Sequence, residues 1–381
     1  MRPATVLHLG KYYPPERGGI ETVLEALCLG ADATVAPRAL VLSTGRRTVH
    51  EVIARIQVTR VGSIATVGAV TVTPMLPLWL RRATADVIVV HEPNPMALVA
   101  CALARPSAPL VVWFHSEVIR PPWQYELFYR PFLDWVLARA ARIVVSAPPM
   151  RDVPALAAVR DKVVVIPYGL DPTPYASMEP PPRTAGETRR PTLLFVGRLV
   201  AYKGVDVLLR AMAGVPASLV LVGDGPLRRP LEALAHELGV EDRVRFAGRV
   251  TDVERLQWYG RADAVVLPSV SRQETFGMVQ VEAMLSGRPV VSTSLPTGVP
   301  WVNRHGETGL VVPPGDVDAL RAALVAISSD DEVRRTLGRA ARAHALEQFT
   351  AARMCSTFNG LCRAVAGETA VVPQSQPARV G

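Results

Sequence analysis

The sequence predicts an α/β fold built as two doubly wound domains, and three features carry that prediction. Short apolar runs rich in Val, Ile and Leu alternate with longer segments of helical periodicity, the pattern of parallel strands covered by helices on both faces. A proline-rich stretch over 171–191, holding Pro172, Pro174, Pro180, Pro181 and Pro182, interrupts this pattern, and a second series begins after it. The chain has 381 residues, more than one hydrophobic core usually serves. Apolar residues make up 49% and charged residues 20%, which suits a folded globular protein rather than a disordered or disulfide-stapled one.

In order, the first series places strands at 5–9, 39–43, 86–91, 110–115, 142–146 and 162–167, with helices filling most of the intervals. The second places strands at 192–196, 218–222, 244–247, 264–268 and 289–292, and from Val317 the pattern turns strongly helical. The expected organisation is an N-terminal domain over 1–170, a linker over 171–190 and a C-terminal domain over 191–345. A helix over 346–366 is expected to return to the first domain, ahead of a small, polar, disordered tail over 367–381.

Composition excludes several classes. The four cysteines, Cys28, Cys101, Cys355 and Cys362, form no CxxC pair, and no histidine cluster has zinc spacing. Free thiols in a reducing cytoplasm are expected, and no metal. Met1-Arg2-Pro3 runs into an apolar strand pattern rather than a signal peptide. The stretch 61–80 is uncharged and long enough to cross a bilayer, but Gly62, Gly68, Pro74 and Pro77 suit strand, turn and short helix instead. The net charge of +8 lies mostly early, with 18 basic against 12 acidic residues up to Leu170 and 24 against 22 beyond. A basic surface suits nucleic acid, phosphate-bearing lipid or an anionic membrane, and no nucleic-acid module is recognisable.

Open α/β sheets bind ligands at the carboxyl ends of their strands, so a cleft faced by both domains is the expected active site. The segment after the first strand, 10–21, lacks the GxGxxG turn of a nicotinamide dinucleotide site. It holds Gly18-Gly19 just before an apolar helical run, which lets backbone approach a phosphate, a flexible surface loop being the plain alternative. The strand at 192–196 runs into Gly197-Arg198-Leu199-Val200-Ala201-Tyr202-Lys203-Gly204. Arg198 and Lys203 there suit a departing diphosphate without a metal. Lys203 is one of three lysines in a chain that otherwise uses arginine.

The densest signal is the segment 268–284. Gly277 is expected to open a helix whose first amides, near Met278 and Val279, face an anion. Glu274 precedes it, and Glu282 lies about a turn and a half inside, where it can accept ribose hydroxyls. His115, in Trp113-Phe114-His115-Ser116-Glu117, is either a core-edge histidine or a ligand contact. Asp316-Val317-Asp318 after Pro313-Pro314-Gly315 reads as a helix cap rather than a metal-binding pair.

The Glu274 to Glu282 spacing resembles the E-x7-E motif of the retaining GT-B glycosyltransferases of family four. Other segments in that family's order are Gly18-Gly19-Ile20-Glu21, His115, Pro167-Tyr168-Gly169-Leu170-Asp171, Val196-Gly197-Arg198-Leu199, Gly223-Asp224-Gly225-Pro226 and the run 305–313. The resemblance implies two Rossmann-like domains facing across a cleft, with His115, Arg198, Lys203 and Glu274 as the catalytic set. His115 and Glu274 would face the donor hexose, Arg198 and Lys203 would hold the diphosphate, and Glu282 would take the ribose. Gly18, Gly19, Gly223, Phe276, Gly277, Met278 and Val279 would complete the donor site. The family's usual proposal for retention is attack from the face the diphosphate leaves, with the leaving phosphate taking the acceptor's proton. No catalytic base is therefore named, and neither metal nor cofactor is expected beyond the nucleotide sugar.

The loop 292–303 resembles that of mannosyl and related transferases of bacterial polysaccharide assembly, which implies GDP-mannose as first donor and a polyprenyl-diphosphate-linked oligosaccharide as acceptor. UDP-sugars with a glycolipid or small acceptor stay open. The segment 117–139 carries Arg120, Trp123, Tyr125, Phe128, Tyr129, Arg130, Phe132 and Trp135 on a largely helical pattern. It suits either docking on an anionic membrane surface or packing against the sheet, so the expected location is cytoplasmic or peripheral on the inner face of the cell membrane. Competing readings are weaker. An epimerase needs added acid and base groups, a phosphorylase needs a cofactor-bearing lysine, and a silent sensor should lack part of the set Arg198, Lys203 and Glu274.

Overall fold

The computed structural model describes residues 2–16, 18–68, 70–117, 123, 125–178 and 190–370. The chain divides into two compact units, one comprising Met1–Val145, Arg151–Ile166 and the chain from Met354, the other Ser146–Met150 and Pro167–Arg353.

The strands of the first unit are β1 (Ala4–Leu9), β2 (Val35–Leu42), β3 (Val49–Ile53), β4 (Ile56–Val61), β5 (Ala65–Val67), β6 (Val70–Val72), β7 (Val87–Glu92), β8 (Leu110–Phe114), β9 (Ala140–Val145) and β10 (Val163–Val165). Eight form one sheet in the order β10-β9-β8-β7-β1-β2-β4-β3, parallel except for the β3–β4 pair, and β5 and β6 form a separate hairpin. Every residue of β7 and β8 is buried, which is why these strands read as unbroken apolar runs rather than alternating ones. Strand order reverses between β1 and β7, so the loops after these two strands bound the crevice where such a sheet takes ligands.

The second unit holds β11 (Thr192–Val196), β12 (Ser218–Val222), β13 (Val244–Gly248), β14 (Ala264–Leu267), β15 (Val290–Thr293) and β16 (Gly309–Val312), all parallel in the order β13-β12-β11-β14-β15-β16. Its reversal lies between β11 and β14. Phe195, Leu208, Leu219 and Leu324 are fully buried in the core of this unit, and each such side chain contributes about 1.5–3 kcal/mol. Asp316 caps the helix Val317–Ser329 by accepting from Asp318 N–H (3.1 Å) and Ala319 N–H (2.9 Å), as its sequence context indicates.

Several expectations are corrected. The interval between 43 and 86 holds more strand than helix: β4 extends the sheet beyond β2 and β3 forms its edge, where exposure weakens the apolar signal. The stretch 61–80 meets its expectation, folding as a strand end, the β5–β6 hairpin and the helix Leu76–Arg82. β16 falls inside a run noted for its motif alone. The linker does not begin at 171, because Tyr175 is buried in the second unit against Tyr259 and Asp171 caps a short turn at Thr173 (3.0 Å). Residues 179–189 of that linker lie outside the described residues.

The single helix expected over 346–366 is two helices, Asp331–Gln348 and Ala351–Ala370. Between them Thr350 forms a β-bridge with Leu170, and Phe349, at φ −122° and ψ 36°, leaves the helical conformation with its side chain fully buried. Residues 367–370 are helical rather than tail, and 371–381 lie outside the described residues. The second helix is joined to the first unit by hydrogen bonds from Cys355 Sγ to Ala26 O (3.3 Å) and from Asn359 Nδ2 to Gly30 O (3.1 Å).

At the carboxyl end of β12, Gly223 has φ +129°, and a Cβ there would lie 1.9 Å from the carbonyl oxygen of Gly197. Gly223→Ala should destabilise the second unit by roughly 2 kcal/mol or more, measured by urea unfolding, because both backbone conformation and close approach oppose a side chain.

Candidate active site

The sequence-identified residues of the second unit collect at its reversal point. β11 leads into Arg198 and a short turn, Ala201–Lys203, while β14 leads into the loop that ends at Gly277. The two loops are tied by Val270 N–H donating to Tyr202 O (2.8 Å), and Thr293 Oγ1 holds Ser269 O (2.7 Å). This brings Lys203 Nζ to 2.5 Å from Glu274 Oε2, with both side chains 10% exposed. Ser269 Oγ donates to the same oxygen (2.9 Å), and Oε1 accepts no hydrogen bond among the described residues. Burial by itself would depress the Lys203 ammonium, but the Glu274 carboxylate outweighs it and the group lies above its ordinary value. The lysine is therefore cationic at neutral pH. Arg198 is exposed beside it in the same loop.

Gly277, at φ +74°, begins the helix Met278–Leu285, and a Cβ there would lie 2.6 Å from Leu267 Cδ2. The amides of Met278 and Val279 stand in the first turn of this helix, where no intrahelical acceptor exists for them. Glu282 lies further in and is already engaged: Arg255 Nη1 binds Oε1, Tyr259 OH donates to Oε2 (2.7 Å) and Tyr175 OH to Oε1 (3.4 Å). None of these three partners was identified from sequence, since they stand 23 to 107 positions away from it. Phe276 turns its ring inward. Its side chain is 1% exposed and packs on Tyr168, Phe349 and Trp301, so only its backbone can meet a donor.

In the first unit Gly18 and Gly19 open the helix Gly19–Leu29. Arg60 on β4, 8% exposed, pins the loop before them by donating to Tyr13 O (2.9 Å) and Pro14 O and pairing with Glu16 (2.9 Å), and is itself held by Glu51 on β3 (2.5 Å). A Cβ at Gly19 would meet nothing within 4 Å, and the backbone there is helical. Among the described residues no packing or dihedral demand calls for a glycine here.

His115 follows β8 and is 3% exposed, with its N–H on Glu92 O (2.9 Å) and Nε2 3.0 Å from His91 Nδ1. Glu92 is fully buried. Its Oε2 accepts from Asn94 N–H (2.9 Å) and Tyr129 OH, and burial still pushes its carboxyl up to about 7. Tyr129 also lines a cavity of about 650 Å³ with Phe114, Ser116, Tyr125 and Arg130. Among the described residues of 117–139 the aromatics divide: Tyr129 is buried, whereas Trp123 and Phe128 are 61% and 62% exposed. Residues 118–122 and 124, including Arg120, lie outside the described residues. No group of three or more His, Cys, Asp or Glu is placed to hold a metal among the described residues.

Two doubly wound units with glycine-opened helices after their central strands, one carrying a buried ammonium–carboxylate pair, define the GT-B class of glycosyltransferase. Known proteins agree. The family model described as glycosyl transferases group 1 matches residues 181–344, and that described as glycosyltransferase family 4 matches residues 17–174. The D-rhamnosyltransferase WbpZ of Pseudomonas aeruginosa is 35% identical over 366 residues, covering 91% of this chain and 92% of that protein. The O-antigen chain mannosyltransferase C of Escherichia coli is 31% identical over 374 residues, covering 93% and 97%. The sucrose-phosphate synthase structure from Thermosynechococcus elongatus superposes with a TM-score of 0.76 at 21% identity, covering 96% of this chain and 100% of that one, a likeness of fold. The chain belongs to the family 4 glycosyltransferases.

Gly19→Ala should leave thermal stability unchanged or raise it, since alanine favours a helix by up to about 1 kcal/mol, yet weaken nucleotide diphosphate binding about tenfold in calorimetric titration, a loss of about 1.4 kcal/mol. Glu92 makes the fold pH-dependent. A carboxyl that titrates near 4.5 unfolded and about 7 folded stabilises the native state fully below pH 4.5 and loses that contribution as pH rises through 7. Urea unfolding of Glu92→Gln across this range should show a flatter profile than the parent protein.

Proposed function

We propose that the protein is a retaining, metal-independent hexosyltransferase that moves mannose from GDP-mannose onto a polyprenyl-diphosphate-linked oligosaccharide in bacterial surface or exopolysaccharide synthesis. The buried Lys203–Glu274 pair at the reversal point of the second sheet carries this reading. As the glycosidic bond breaks, negative charge grows on the diphosphate, and a fixed ammonium with a neighbouring guanidinium from Arg198 stabilises it with little reorganisation. Glu274 takes its protein donors on Oε2 and offers Oε1 to a hydroxyl of the sugar. The acceptor oxygen attacks on the face the diphosphate leaves, and its proton passes to the departing phosphate, so no separate base is required.

The sugar assignment draws on the two relatives named for D-rhamnosyl and mannosyl transfer. D-rhamnose is 6-deoxymannose, so both names concern the manno configuration. The name of the E. coli relative also supports a growing glycan as acceptor. Exposed Trp123, Leu127 and Phe128 near Arg130 support contact with an anionic membrane carrying the lipid-linked acceptor. No helix among the described residues is long and apolar enough to cross a membrane.

Thermal-shift titration with GDP, UDP, ADP, GDP-mannose and UDP-glucose tests the donor, because a ligand that binds only the folded protein raises its melting temperature by mass action. Selective stabilisation by GDP species is expected. Selective stabilisation by UDP would replace the donor, and no response to any nucleotide would overturn the reading. Lys203→Ala and Glu274→Ala should each lower turnover by roughly 100-fold or more in protein that remains folded.

A further inference from the structure

We infer that His8 and His91 are positioning residues that form one hydrogen-bonded row with His115 and couple the position of the proton on its ring to their own. The functional consequence rests on the reading of His115 as a donor contact.

Strand register builds the row. In the parallel β1–β7 pair His8 lies opposite Val89, two residues before His91, and in the β7–β8 pair His91 lies opposite Trp113, two residues before His115. Two-residue steps along a strand keep side chains on one face. The three imidazoles therefore descend diagonally across the sheet to its carboxyl edge, where His115 stands. His8 Nδ1 is 3.0 Å from His91 Nε2, and His91 Nδ1 is 3.0 Å from His115 Nε2. Trp113 lies nearly parallel to His91 and His115, at 7° and 10°, and Phe358 from the helix Ala351–Ala370 packs against His8 and Trp113. His8, His91 and His115 are 1%, 1% and 3% exposed.

A neutral imidazole has one N–H and one lone pair, and each link needs one of each. His91 uses both of its nitrogens, so only two arrangements satisfy the row. With every proton on Nε2, His115 donates to His91, His91 donates to His8, and His115 Nδ1 is an acceptor. With every proton on Nδ1, both links reverse and His115 Nδ1 is a donor. Any mixture sets two N–H groups or two lone pairs against each other where water cannot intervene. Burial lowers His8 and His115 to about 3 and His91 far below its ordinary value, so the row is uncharged at neutral pH and its tautomer is the variable that remains. The ring nitrogen of His115 that carries the proton is thereby coupled to His91 and His8, one and two strands away.

Long-range proton–nitrogen correlation spectra of the full chain with 15N-labelled histidine, assigned by single substitutions among the seven histidines, test this directly. His8, His91 and His115 should share one tautomer, and His91→Phe should shift His115 to a mixture and lower kcat roughly tenfold, the scale on which partners that orient a functional histidine act. His91→Gln, whose amide supplies one donor and one acceptor, should restore most of the rate. His8→Phe, at the far end of the row, gives the same two readouts if His91→Phe does not fold. Opposite tautomers in the parent protein, or a His115 spectrum unchanged by both phenylalanine substitutions, would overturn the inference. The spectra require no turnover, so a failed donor assignment would leave this result readable by itself.

Discussion

Parallel strands covered on both faces leave little room for polar groups except where the strands end, and the placement of almost every candidate residue follows from that constraint. β11 and β14 are central and apolar, so the charged residues that follow them, Arg198, Lys203 and Glu274, are confined to the two loops at their carboxyl ends. Because strand order reverses between these strands, the loops diverge to opposite sides of the sheet and leave space between them. The hydrogen bond from Val270 to Tyr202 then sets the distance at which the lysine and glutamate meet.

At the buried lysine and in the buried histidine row, each polar group is held by a partner that would be left unsatisfied if the other were removed. Lys203 is buried as a cation only because Glu274 is beside it, and the pair is weak evidence for stability but strong evidence for a site, since breaking it strands a charge. The histidine row solves the same problem without charge, by three neutral rings satisfying one another in series. Glu92 shows the cost of partial satisfaction: two donors reach Oε2, burial still raises its carboxyl to about 7, and the proton becomes the compensating partner.

The glycines differ in what the fold demands of them. Gly223 and Gly277 are required by positive φ and by atoms within 2.6 Å of an added Cβ, so their presence follows from the fold whether or not a donor is bound. Gly19 has neither requirement. Arg60, from a strand well separated in sequence and steadied by Glu51 on β3, holds the preceding loop by two backbone carbonyls and the Glu16 carboxylate.

Local pattern determined the α/β class, most strands of both series and the order of the loops, because burial on both faces marks each strand within a few residues of itself. It also marked the Asp316 cap and the segments holding His115, Lys203, Glu274 and Glu282, whose residue types and spacing are visible without neighbours. The exposed edge strand β3 and the short β16 escaped it, as apolar periodicity fades where one face meets solvent or the strand is four residues long. Tyr175 read as linker until packing on Tyr259 placed it in a core, and only packing showed that the ring of Phe276 is covered by aromatic neighbours while its backbone is left to the loop. Only the tertiary structure decided that Arg255 grips Glu282 and that His8, His91 and His115 form one row. Sequence position carries burial and propensity, whereas those pairings depend on which strand lies beside which and in what register, a property of the assembled sheet that no single segment contains.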